Sequence, residues 1–116
     1  MGMRIVFMGA GAVGGYVGGH IARAGEDVTL IDPWPEHIEQ IKQHGIHLSG
    51  TQGEHTVRLK ALHLHEVQSL FKQPADIAFI CTKSYDTEWA TMLMKQYLAP
   101  DGFVVSLQNS INEERI

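Results

Sequence analysis

Short unbroken apolar runs alternate along this chain with stretches in which apolar residues recur every three or four positions. Ile5-Val6-Phe7-Met8, Val28-Thr29-Leu30-Ile31, Ile77-Ala78-Phe79-Ile80-Cys81 and Phe103-Val104-Val105-Ser106-Leu107 are runs of the kind that form strands covered on both faces. After the first run, Val13, Val17 and Ile21 recur at i, i+4 and i+8, predicting a helix whose apolar side faces the sheet. Gly14, Gly18 and Ala22 form a small-residue stripe beside them that permits close approach, and Gly25 stands where a C-cap belongs. Pro35 opens a second helix that runs through Lys42 and stops at Gly45. Glu66 to Lys72 reads as a short helix. A longer one begins near Asp86, places Trp89, Leu93 and Tyr97 on one core-facing side, and ends at Pro100-Asp101-Gly102.

One stretch has a different period. Ile46 and Leu48 alternate with His47 and Ser49, and Val57, Leu59 and Ala61 with Arg58 and Lys60, on either side of Gly50-Thr51-Gln52-Gly53. That pattern predicts a β-hairpin with one wet face, in or beside the sheet. Strands alternating with helices give an α/β chain: a Rossmann-type doubly wound, mostly parallel sheet with an inserted hairpin. Ser110-Ile111-Asn112-Glu113 has capping-box spacing, yet the sequence ends barely one turn later at Ile116. The expectation is a truncated piece of a longer protein.

The turn after the first run carries the chemistry. Gly9-Ala10-Gly11-Ala12-Val13-Gly14 matches G-x-G-x-x-G between a strand and a helix. Gly9 permits the tight turn, Gly11 leaves room for a pyrophosphate against the backbone, and Gly14 lets the helix lie close on the sheet. The helix start offers unpaired N–H groups and a partial positive charge to that anion. Asp32, ending the second apolar run, is placed to accept hydrogen bonds from an adenosine ribose. These residues together predict a dinucleotide site.

Composition narrows the class. The 116 residues make one domain, with 44% hydrophobic and 19% charged residues as in ordinary soluble globular proteins. A net charge of −4 argues against nucleic acid or an anionic membrane as the main partner. The single cysteine, Cys81, cannot form an internal disulfide, which favours a reducing cytoplasm. Ile5 to Gly19 superficially resembles a secretory signal, but its glycines fall where a phosphate turn needs them. No apolar run is long enough to span a bilayer.

His63 and His65, with Glu66 beside them, lack a further ligand at a recognisable spacing, so they read as solvent-facing histidines and no metal is expected. Cys81 reads as core rather than as a redox sensor. Trp34, flanked by Pro33 and Pro35, could cover an adenine or pack on its neighbours, and the sequence leaves both open. Tyr-x-x-x-Lys, G-x-S-x-G and P-loop motifs are absent.

The glycine turn with its helix, the His37–Gly45 helix leading into the hairpin, Cys81-Thr82-Lys83-Ser84-Tyr85-Asp86, and Leu107-Gln108-Asn109 together resemble the cofactor domain of the ketopantoate reductase (2-dehydropantoate 2-reductase) family. The resemblance covers essentially the whole chain. It implies an N-terminal NAD(P)-binding Rossmann domain over residues 1–116, serving NAD(P)H-dependent reduction of a 2-oxo acid to a 2-hydroxy acid, in pantothenate biosynthesis if the substrate is ketopantoate. It also implies that Lys83 contacts the cofactor and that Asn109 lies near the nicotinamide ribose and the substrate. The family's general-acid lysine and most of its substrate contacts belong to a helical C-terminal domain absent here, so no catalytic residue is assigned in this chain beyond Asn109 as a substrate or nicotinamide contact. The chain alone is expected to be inactive as a reductase.

Two departures are visible. Ser110 follows the Gln-Asn pair where the family usually has glycine, and Asp32-Pro33-Trp34-Pro35-Glu36 has no basic residue where NADPH users tend to carry one. A carboxylate 4 Å from a 2′-phosphate costs about 1–4 kcal/mol per charge pair, depending on the local dielectric, so NAD(H) is favoured over NADP(H). Two rival readings remain: an FAD- or S-adenosylmethionine-using Rossmann protein, and a non-enzymatic module that senses NAD(H). Self-association into a homodimer is left open.

Overall fold

Five parallel strands form the central sheet in the order β5-β2-β1-β6-β7. In the computed structural model, which describes residues 3–9, 12–50, 53–81 and 87–106, these strands are β1 (Arg4–Met8), β2 (Asp27–Asp32), β5 (Lys60–His63), β6 (Ala75–Ile80) and β7 (Leu98–Ser106). The helices are α1 (Ala12–Arg23), α2 (Pro35–His44) and α3 (Thr87–Lys95), with a 3-10 helix over Leu64–Phe71. A separate antiparallel hairpin pairs β3 (Ile46–Gly50) with β4 (Gly53–Val57). The doubly wound α/β class predicted from the sequence is the observed one. Among the described residues no helix is long and apolar enough to cross a membrane.

The central strand β1 is hydrogen-bonded on both edges, to β2 and to β6. Its side chains alternate between two cores, as the period of two requires. Ile5 and Phe7 join Val28, Leu30 and Ala61 beneath Ile38 and Ile41 of α2, with Val17 and Ile21 of α1 packed against them. Val6 and Met8 join Ile31, Ala78 and Ile80 beneath Val67 and Leu70 of the 3-10 helix and Ala90 and Met94 of α3. Phe7 and Met8 are fully buried, each contributing about 1.5–3 kcal/mol. Phe7 stacks on Phe79 across the sheet, ring centroids 4.7 Å apart. The predicted inward face of α1 is therefore present at Val17 and Ile21. Close approach holds at Gly18, where a Cβ would meet Leu30 at 3.0 Å and the Phe7 ring at 3.3 Å. Of Ala12, Val13 and Gly14 only the helical backbone is described, and Thr51, Gln52 and the segment 107–116 that includes the Ser110–Glu113 capping-box spacing lie outside the described residues.

Four expectations need correction. The alternating stretch from Val57 to Ala61 is not one hairpin arm: β4 ends at Val57, and Lys60–His63 is a fifth parallel strand beside β2. An edge strand with one wet side has the same period as a hairpin arm, so alternation could not separate them. Glu66–Lys72 is a 3-10 helix that starts earlier, at Leu64. On α3 the buried line is Ala90 and Met94, continued by Tyr97 beyond the helix end, whereas Trp89 is 51% exposed. Neighbouring helical positions point about 100° apart, so when Ala90 faces the sheet Trp89 turns to its flank. Finally, α3 stops at Lys95, and Pro100-Asp101-Gly102 lies inside β7. There the register slips, with Leu98 opposite Ala75 but Phe103 opposite Ile77. An irregular edge strand tolerates the missing proline N–H.

Gly45 closes α2 with φ 76°, and a Cβ there would sit 2.5 Å from the Val57 carbonyl oxygen of the hairpin. Gly25 closes α1 with φ 101° but has open space around it. Gly25→Ala should cost only the left-handed strain, about 1–2 kcal/mol. Gly45→Ala should cost a further 1–3 kcal/mol, roughly, from the clash. Urea unfolding of the two variants checks the difference; equal costs would mean that the hairpin does not press on this turn.

Candidate functional site

The carboxyl ends of β1, β2 and β6 are drawn together by main-chain hydrogen bonds. Gly9 donates its N–H to Ile31 O at 2.7 Å, and Cys81 donates to Met8 O at 2.9 Å. Gly9 has φ 102°, a conformation side-chain-bearing residues rarely adopt, so the chain leaves β1 by a turn that needs glycine. Only Ala10 and Gly11 separate it from α1, which starts at Ala12. The first turn of α1, with Ala12, Val13 and Gly14, therefore stands at the carboxyl edge, where its unpaired N–H groups suit an anion. From β1 the strand order runs to β2 and β5 on one side and to β6 and β7 on the other. The gap between β1 and β6 is thus the switch point at which open α/β sheets bind ligands.

Asp32 is the last residue of β2, one peptide bond beyond the carbonyl that anchors Gly9. Its Oδ1 accepts the Trp34 N–H at 2.8 Å, a local side-chain turn that holds the carboxylate at the strand end. Asp32 lines an open depression with Trp34, Glu36, His37 and Gln40. Among the described residues, two carboxylates and no lysine or arginine stand in that lining. Gly9 and Asp32, predicted from the sequence as parts of one site, are brought together; Ala10, Gly11, Lys83 and Asn109 lie outside the described residues. In sequence Lys83 follows β6 and Asn109 follows β7. A left-handed glycine anchored to β2, a helix start beside it and an acid at the next strand end fit a dinucleotide: diphosphate on the turn, ribose on the acid.

A polar network next to this site was missed. His63, in register with Asp32, was expected to face solvent, yet its side chain is only 14% exposed. Its Nε2 contacts Glu39 Oε2 of α2, and its ring stacks on that of His65 at 5.3 Å. Glu66 Oε1 accepts the His63 N–H at 2.7 Å and the Lys42 ammonium at 3.1 Å. The signal was in the sequence: His63 and Glu66 stand three apart at a helix start, the spacing at which a glutamate reaches back to the cap N–H. Among the described residues no group of three or more His, Cys, Asp or Glu is arranged to hold a metal ion. Cys81 packs against the β1–α2 core, and burial pushes its thiol up to about 11, so it stays protonated and weakly nucleophilic at neutral pH.

Residues 5–116 match the family model of ketopantoate reductase PanE/ApbA. The 2-dehydropantoate 2-reductase of Pyrococcus horikoshii is 40% identical over 115 residues, which are 98% of this chain and 36% of that protein. That of Lactococcus lactis is 34% identical over 112 residues, 97% of this chain and 35% of the relative. Among solved structures, a PanE/ApbA family ketopantoate reductase from Ralstonia eutropha superposes with a TM-score of 0.79 at 40% identity, covering 92% of this chain and 34% of that one. D-mandelate dehydrogenase, in a ternary structure with NADH and anilino(oxo)acetate, gives 0.77 at 31% identity over 97% of this chain and 35% of its own. The chain spans about a third of the length of the curated relatives it matches.

The His63 N–H, then the Lys42 ammonium, hold the Glu66 carboxyl below its ordinary value of 4.5. A depressed carboxyl stabilises the fold above its unfolded value, and that contribution is lost as pH falls through the folded one. Wild type should therefore lose stability below about pH 4.5, where Glu66→Gln should show a flatter acid limb. Denaturant midpoints measured between neutral pH and the acid limb check this; parallel profiles for the two proteins would refute it.

Proposed function

The chain belongs to the ketopantoate reductase PanE/ApbA family, and from that premise we propose that it is the dinucleotide-binding domain of a reductase that takes NADH in preference to NADPH. The full-length protein reduces a 2-oxo acid to the 2-hydroxy acid. The observation that carries this reading is Asp32 at the end of β2, one residue past the carbonyl that anchors Gly9, with Glu36 in the same depression. The main chain of Gly9, Ala10, Gly11, Ala12, Val13 and Gly14 would hold the diphosphate, and Asp32 the ribose hydroxyls. Lys83 and Asn109 would serve the nicotinamide half, as the family resemblance implies.

The bound reduced nicotinamide supplies the hydride. The chain's own residues bind and orient it, and the carboxylates of Asp32 and Glu36 repel a 2′-phosphate. A solved neighbour, D-mandelate dehydrogenase, carries NADH, which supports the same choice here. Curated relatives named 2-dehydropantoate 2-reductase make 2-dehydropantoate the first substrate to test. Activity on it would support a role in pantothenate biosynthesis, and the single cysteine favours the cytoplasm for it.

Fluorescence titration with NADH and NADPH tests the reading. NADH should bind at least about fivefold tighter, the equivalent of about 1 kcal/mol for one screened charge pair. Asp32→Ala should weaken NADH and narrow the gap. Equal or tighter binding of NADPH would overturn the preference, and no binding of either would overturn the dinucleotide site. The chain by itself should bind without turnover, so measurable NADH oxidation with 2-dehydropantoate would place the catalytic groups within these residues.

A further inference from the structure

Trp34 does not pack on its neighbours: it is 64% exposed. Its backbone is nevertheless held firmly. Its N–H goes to Asp32 Oδ1 at 2.8 Å, and its carbonyl accepts the Ile38 N–H of α2 at 3.2 Å. With φ −88° and ψ 104° it has the extended geometry required before a proline, and Pro33 and Pro35 stiffen the chain on both sides. The indole is thus a water-facing aromatic surface on an anchored backbone, in the same depression as Asp32.

We propose that Trp34 is the stacking platform for the adenine of the bound dinucleotide. This rests on the dinucleotide reading above and adds the subsite that reading left open. Placement supports it. With the diphosphate on the Gly9 turn at the end of β1, the ribose on Asp32 lies one strand across, at the end of β2. The base is joined to that ribose on the side away from the diphosphate, so it passes beyond Asp32 and meets the depression that begins there. Trp34 is two residues on and offers a π-face of the size of a purine. Stacking of this kind is tolerant of exact position and gains from an indole carried on an anchored backbone. Gln40, on the same rim, carries an amide of the kind that suits the edge of the base. The loop has no cation with which to grip a 2′-phosphate, so affinity for the adenosine half comes from an aromatic contact instead.

The test is calorimetric titration of the chain with NADH and with AMP, using wild type, Trp34→Ala and Trp34→Phe. Trp34→Ala should weaken both ligands about tenfold, while Trp34→Phe keeps most of the affinity. Because Trp34 is exposed, neither change should alter the fold, which circular dichroism checks. AMP should also quench tryptophan emission in a Trp89→Phe protein, where Trp34 is the remaining indole, and should leave the emission of Trp34→Phe unchanged. If wild type binds NADH and Trp34→Ala binds NADH and AMP equally well, the stacking role is wrong while the dinucleotide site stands. If wild type binds neither ligand, both fall together.

Discussion

The bond from the Gly9 N–H to the Ile31 carbonyl sets the geometry on which the site depends. It fastens a left-handed residue at the end of β1 to the end of β2, so the chain can leave the sheet only by turning sharply into α1. Because Asp32 follows Ile31 directly, the same bond fixes the acid relative to the turn. Two features that the proposed dinucleotide would touch at separate points are thereby held to one reference. The matching bond from Cys81 to Met8 brings the end of β6 up to the same edge.

What keeps α2 in place differs from what orients it. Ile38 and Ile41 are buried against Ala61 and Leu30, and burying each contributes about 1.5–3 kcal/mol. The ion pairs of Lys42 with Glu39 and Glu66 are partly exposed, and such pairs are worth about 0–1 kcal/mol. Apolar burial therefore supplies the stability. The polar network supplies direction: through Glu39 and Lys42 it ties α2 to His63 and Glu66 at the end of β5. The first turn of the same helix carries Glu36, and Trp34 stands at its N-cap position, so the walls of the depression beside Asp32 inherit that alignment.

Most of this was readable in the sequence because the strongest signals were local. Strands covered on both faces leave unbroken apolar runs, as at Ile5–Met8 and Val28–Ile31, and Gly9 and Gly45 mark turns that only glycine makes easily. The failures were tertiary. Lys60-Ala61-Leu62 alternates like any half-wet strand, so the pattern alone merges β5 with the hairpin, and only its pairing with β2 reveals it. Hydrophobicity says nothing about a 100° error in the facing direction of a helix, so Trp89 reads as core. His63 reads as a surface histidine because its partner, Glu39, is 24 residues away. Of the site, Gly9 and Asp32 were found by motif; the exposure of Trp34 could be decided only by packing.

The sheet order also separates two decisions that a reductase has to make. β2 and β5 lie on one side of β1, and their end carries Asp32, Trp34 and Glu36. β6 and β7 lie on the other, and Lys83 and Asn109 follow them in sequence. On the proposed reading, choice of dinucleotide is a matter of charge at the first edge, while the strands that Lys83 and Asn109 follow lie on the other side of β1. A change of preference would then need only residues after β2 and would leave the Gly9 turn untouched. A loop in which Asp32 is followed by Pro33-Trp34-Pro35, with no lysine or arginine before Glu36, would put that choice in five residues at one edge.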